Sequence, residues 1–149
     1  MSAQSNEDWT TLKSILFFTL NLGIFLVYII AENLWIEWVN DILLKIKECF
    51  KYDKALFSKH ARFEMKFDEF GQIFVKDIDN LINSSEIIEF YSNDKPYPSY
   101  LLLGFSDSKP IHIVIAYSEE DDRIIIITVY RPNPELWIDF KIRKKKWSV

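Results

Sequence analysis

Ser14-Ile-Leu-Phe-Phe-Thr-Leu-Asn-Leu-Gly-Ile-Phe-Leu-Val-Tyr-Ile-Ile-Ala31 carries no charged side chain from end to end, and a chain of mixed polarity follows it. At 1.5 Å of rise per residue the run is about 27 Å long as a helix, close to the ~30 Å hydrocarbon core of a bilayer. A helix that is apolar on every face needs a large protein or lipid around it. The rest of the chain is enough for only one small domain, so residues 13–32 are predicted to form a single transmembrane helix. Trp9 precedes the run, and Trp35 and Trp38 follow it, where interfacial aromatics belong.

A cleaved signal peptide fits poorly. Glu7 and Asp8 outnumber Lys13 ahead of the run, and no pair of small residues marks a cleavage site after it. Orientation follows the basic residues: Lys13 stands alone on one side, while Lys45, Lys47, Lys51 and Lys54 follow on the other. This asymmetry places the N-terminus outside and the C-terminal domain in the cytoplasm, in the cell (inner) membrane. The single Cys49 forms no internal disulfide, in keeping with a reducing compartment. Within the run, Thr19 and Gly23 make a small-x-x-x-small pair, and Asn21 is polar at membrane depth. That combination suits close helix approach to an integral membrane protein partner, with membrane lipid around the remainder.

Residues 1–12 are read as an N-terminal tail. Across 33–54, Leu34, Trp35, Val39, Ile42, Leu43 and Ile46 recur at helical spacing, and Lys51 to Lys54 is read as a short linker. This amphipathic helix is expected either to lie on the membrane or to pack against the domain. From residue 55 to 140 the pattern is that of an α+β domain, a small antiparallel sheet with one or two helices. Helices are predicted over 57–67 and 72–82, and strands over 86–91, 99–105, 111–117 and 123–130. The connections between strands are short, which favours an antiparallel meander, because a parallel crossover needs a dozen or more residues. Ile124 to Ile127 is apolar on both faces, so its strand is expected inside the sheet, with helix over one face and other chain over the other.

Residues 55–140 hold eight Lys/Arg against 15 Asp/Glu, a net charge of −7. Such a body matches nucleic acid poorly, since that affinity rests largely on cationic contacts to phosphate. The tail, 141–149, adds five positive charges that would suit anionic headgroups or solvent. No metal-ligand spacing, Gly-rich phosphate loop or nucleophile elbow occurs, and only three glycines are present, so no metal and no cofactor is expected.

Ser58-Lys-His-Ala61, Glu86 to Tyr91, Asp94-Lys-Pro-Tyr-Pro-Ser99, Leu101-Leu-Leu-Gly104, Pro110-Ile-His112 and Thr128-Val-Tyr-Arg-Pro132 with Trp137 follow one another in order. The series resembles a bacterial domain-of-unknown-function family distantly similar to the small RelE-like toxins. The resemblance covers about residues 55–140 and implies a curved antiparallel sheet. More loosely it implies ribonuclease chemistry, with RNA as substrate and an antitoxin partner. The implied site is His60 and His112 with Tyr97, Tyr130 and Arg131, His60 acting as base or acid and Arg131 clamping the scissile phosphate. One departure bears on that chemistry. Where the family carries basic residues after the histidine, this chain has Glu64, Asp68 and Glu69, which would repel phosphate. His112, set in an apolar strand, also suits a hydrogen-bonded role within the sheet. The reading that follows is a non-catalytic accessory subunit of a membrane assembly, with a membrane-tethered ribonuclease toxin as its alternative.

Overall fold

The structure, a computed structural model, describes the backbone of residues 8–144 and side chains from Thr19 onward. The chain divides into two compact units, Met1–Asp41 and Ile42–Val149. Helix α1 is continuous over Asp8–Lys51. At 44 residues it would extend about 66 Å, more than twice a bilayer core.

In the first unit every side chain from Thr19 to Glu37 is exposed, including Val27 at 67% and Ile24 at 63%. Among the described residues this is the one helix long and apolar enough to cross a membrane, and its apolar window has no buried residue. Thr19, Asn21 and Gly23 lie on this stretch, and a Cβ added at Gly23 would meet nothing within 4 Å. Trp35 and Trp38 pack together with ring centroids 5.0 Å apart. The side chain of Trp9 lies outside the described residues.

In the second unit the end of α1 buries Ile42, Ile46 and Cys49, a stripe at helical spacing that packs into the domain. Asp53, in the left-handed region at φ 55°, turns the chain out of the helix, and the Lys54 N–H returns to the Cys49 carbonyl at 2.8 Å. Strand β1 (Ala55–Phe57) then leads to Ser58, whose hydroxyl accepts from the Ala61 N–H at 2.9 Å and starts α2 (Lys59–Phe67). The same hydroxyl donates to the Ile127 carbonyl at 2.8 Å, pinning the helix start to the sheet. Helix α3 (Val75–Ile82) begins where the Asp77 carboxylate reaches back to the Phe74 N–H at 2.8 Å. Both helices are shorter than predicted, because a strand takes Phe57 and an irregular segment takes residues 72–74.

The sheet runs β1-β5-β4-β3-β2, with β2 at Glu86–Tyr91, β3 at Ser99–Ser106, β4 at Lys109–Ser118 and β5 at Arg123–Tyr130. Strands β2 to β5 form the antiparallel meander that the short loops predict. The β3–β4 connection has two central residues, Asp107 and Ser108, both at positive φ, the geometry of a tight hairpin turn. The expectation of a wholly antiparallel sheet is corrected by β1, which pairs parallel with β5, Ala55 opposite Ile124. The long connection that parallel neighbours need is available because both helices and three strands intervene.

Each face of the sheet has its own cover. Gly104 faces α3 so closely that a Cβ there would sit 2.6 Å from Leu81 Cδ1. Side chains alternate along a strand, so Leu103, and His112 opposite it, point to the other face. That face carries the C-terminal hairpin of β6 (Trp137–Ile138) and β7 (Ile142–Arg143).

Candidate functional site

Strands β4 and β5 set His112 and Tyr130 directly opposite one another. The tyrosine oxygen lies 3.1 Å from His112 Nδ1, and the Phe140 carbonyl lies 2.7 Å from Nε2. A carbonyl can only accept, so the ring proton sits on Nε2, and Nδ1 accepts the Tyr130 O–H. Trp137 meets the imidazole edge-on at 4.5 Å between centroids, and the histidine has no exposed surface. Burial holds its pKa below the ordinary 6.5, against the opposing pull of the Phe140 carbonyl. Burial likewise raises the Tyr130 hydroxyl. His112 is therefore neutral near pH 7 with both nitrogens engaged, a brace between the sheet and the hairpin.

Arg143 completes this layer. Its Nε lies 2.9 Å from Glu89 Oε1, its Nη2 lies 3.2 Å from the Tyr91 oxygen, and its guanidinium stacks 4.5 Å from the Trp137 ring centroid. The bond to Glu89 raises the arginine further above its ordinary value. Burial, followed by the bond it donates to Glu89, pushes Tyr91 up to about 12. Lys141 pairs with Glu86 at 2.6 Å. Two charges of the basic C-terminal segment are thus bound by β2.

Arg131, one residue past β5, turns toward the helix side of the sheet. Its backbone N–H donates to Asp68 Oδ2 at 2.8 Å, and its Nη1 lies 3.5 Å from Asp68 Oδ1 and also donates to the Gly71 carbonyl. The pair is sequestered, at 12% exposure for the arginine side chain and 4% for the aspartate. Gly71 presents that carbonyl at φ 108°, where a side chain would be strained. Arg131 Nε is buried without a hydrogen-bond partner among the described residues. A polar cleft of about 210 Å³ adjoins it, with Gln72, Lys76, Asp77, Ser106 and Lys109 on its walls.

His60 lies on α2, 63% exposed, with Nδ1 4.0 Å from Glu64 Oε1. Tyr97 is half-buried in the loop between β2 and β3. The structure thus brings His112 and Tyr130 together, holds Arg131 on the other side of the sheet, and leaves His60 and Tyr97 outside the arginine cleft. Sequence reasoning singled out Asp68 as a residue hostile to phosphate and missed its role as the counter-ion of Arg131. It also missed Glu89, Tyr91 and Arg143. Strand register offers one signal, since Glu89 and Tyr91 share the face of His112, but the hairpin that brings Arg143 there has none. Among the described residues no group of three or more His, Cys, Asp and Glu stands close enough to hold a metal ion.

The described chain is thus an N-terminal apolar helix joined to an α+β domain with a mixed five-stranded sheet. It belongs to the family described as domain of unknown function DUF4258, whose sequence pattern matches residues 57–131. No curated protein and no solved structure gives a significant match to the chain. The family match ends at Arg131, so the hairpin over His112 lies beyond it.

Proposed function

We propose that this is a single-pass membrane protein whose α+β domain is a non-catalytic accessory subunit of a larger membrane assembly. Residues 13–32 cross the cell (inner) membrane with the N-terminus outside, and the domain lies in the cytoplasm. The observation that carries the reading is the exposed apolar stretch of α1, where nine large side chains from Leu20 to Ile30 are exposed and none is buried. Water would be a costly surrounding for that surface, whereas lipid or a partner helix is not. Thr19 and Gly23, one turn apart on α1, offer the close approach that an integral membrane partner needs, and Asn21, on another face, offers a hydrogen-bonding group at membrane depth. Two further observations favour a non-catalytic domain: His112 has no nitrogen available for proton transfer, and Asp68 neutralises Arg131. Extraction from native membranes in several mild detergents, followed by size analysis, tests the proposal. The full chain should migrate with a co-purifying membrane protein, and a monodisperse monomer in every detergent would refute it.

A membrane-tethered ribonuclease similar to the RelE-like toxins is the second reading. It is favoured by one feature, a small surplus of cations at a single cleft, where Lys76, Lys109 and Arg131 outnumber Asp77 and Asp107. It requires RNA cleavage by the full chain that His60→Ala abolishes. Intact RNA after incubation with folded protein removes it.

A further inference from the structure

We propose that α2 and the loop after it form a second lipid contact, in which Phe63, Phe67, Phe70 and Phe74 enter the headgroup layer of an anionic bilayer. The inference adds to the membrane reading above and rests on it for the anchor that keeps the domain at the surface.

Helix α2 buries Ala61 and Met65. At 100° per residue, Phe63 and Phe67 then fall on its opposite, outward face, one turn apart. Their rings touch at 4.8 Å between centroids, and they are 58% and 60% exposed. Phe70 and Phe74, in the segment that follows the helix, are 46% and 49% exposed. Four exposed phenylalanines within twelve residues are more than scattered surface apolars, and such a patch marks an interaction surface.

The charge around the patch says which surface it fits. Lys66 lies over the Phe67 ring at 5.2 Å, Lys76 over Phe74 at 5.4 Å, and Arg62 over Phe57 at 5.5 Å. A groove of about 240 Å³ between α2 and the start of α3 is lined by Arg62, Lys66, Phe74 and apolar neighbours, with no carboxylate. This local excess of cations stands out in a domain whose net charge is −7. Glu64, on the His60 side of α2, and Glu69, within the loop of the proposed contact, oppose Lys59, Arg62, Lys66 and Lys76, and with Asp68 held by Arg131 the segment keeps a surplus of two cations. Aromatic rings at headgroup depth, with long basic side chains reaching the phosphates, are the chemistry of interfacial attachment. An acidic protein surface would match the charge as well. The chain's own apolar helix, however, holds the domain beside lipid at high effective concentration, which favours the bilayer.

The test is hydrogen exchange on the full chain in nanodiscs of phosphatidylcholine alone, or of phosphatidylcholine with phosphatidylglycerol. Amides of residues 59–76 should exchange several-fold more slowly in the anionic discs, and high salt should reverse the effect. Each cation near such a surface strengthens attachment roughly fivefold. Joint replacement Lys59→Gln, Arg62→Gln and Lys66→Gln, which removes three cations from α2, should therefore weaken it about a hundredfold, and Phe63→Ser with Phe67→Ser should abolish the protection without touching the buried face. Equal exchange in both discs overturns the proposal. So does protection that grows with protein concentration in detergent, which assigns the patch to a second copy, or protection that needs an added protein. If the chain fails to enter discs, the anchor has failed, and the patch is then scored by salt-sensitive sedimentation of the same chain with anionic vesicles.

Discussion

Replacing Gly104 with alanine should destabilise the domain through a single contact. A Cβ at that position would lie 2.6 Å from Leu81 Cδ1 and 3.0 Å from Leu81 Cβ. The methyl end of a leucine can rotate away, but its Cβ is fixed to α3, so relief requires the helix itself to lift from β3. Leu81 is fully buried, which leaves its side chain no free volume to enter. Overpacking of this kind costs about 1–3 kcal/mol. In a domain of this size that lowers the melting temperature by roughly 4–20 °C. Thermal unfolding of the full chain in detergent, followed by near-ultraviolet circular dichroism, reads the shift. A double-mutant cycle isolates the contact. Leu81→Ala alone should cost about 2–5 kcal/mol by opening a cavity; it removes the contacts with Cδ1 and Cγ and keeps the one with Cβ, so in that background Gly104→Ala should cost measurably less, giving a coupling above about 0.5 kcal/mol. Equal costs of Gly104→Ala in both backgrounds, or none in either, would show that α3 does not approach the sheet as described.

Arg131→Met should cost about 3–5 kcal/mol by stranding the Asp68 carboxylate, and adding Asp68→Asn should recover part of the loss in denaturant titration. His112 is held neutral in the fold, so its contribution is fully present above pH 6.5 and declines as pH falls from there through its lowered folded value. The decline is at most about 1.4 kcal/mol per pH unit, and His112→Gln should remove that part of the acid sensitivity in melts between neutral and mildly acidic pH. Topology needs an added reporter, because Cys49 is 2% exposed and burial raises its thiol pKa, making it silent on either side of a membrane. Asn93→Cys, in an exposed loop, should resist an impermeant thiol reagent in intact spheroplasts and react once they are opened.

Much of this fold is written in local pattern. Alternation of apolar residues and the short polar loops place β2 to β5 within three residues of where they lie, and the doubly apolar Ile124 to Ile127 lies in β5, a strand with neighbours on both sides. Strand β1 escapes because three residues carry no period, and its parallel partner is some seventy positions away. The extent of α2 depends on Ser58, whose hydroxyl both caps the helix and binds Ile127, and only the first of these is a local property. Of the candidate site, the pairing of His112 with Tyr130 follows from strand register. The Phe140 carbonyl that fixes the ring proton does not, because it is delivered by a turn with Asp139 and Phe140 both at positive φ, a conformation phenylalanine rarely adopts. The reading of Arg131 as a phosphate clamp considered the arginine alone. Asp68 reaches it only once α2 folds back on the sheet.

The claim on which the rest depends is that the exposed stretch of α1 lies in lipid. Washing membranes that carry the full chain with alkaline carbonate strips proteins held by charge or by peripheral contacts and leaves those that span. A chain that spans should stay in the pellet after the wash and leave it only with detergent. Recovery in the carbonate supernatant as a folded protein would contradict a span.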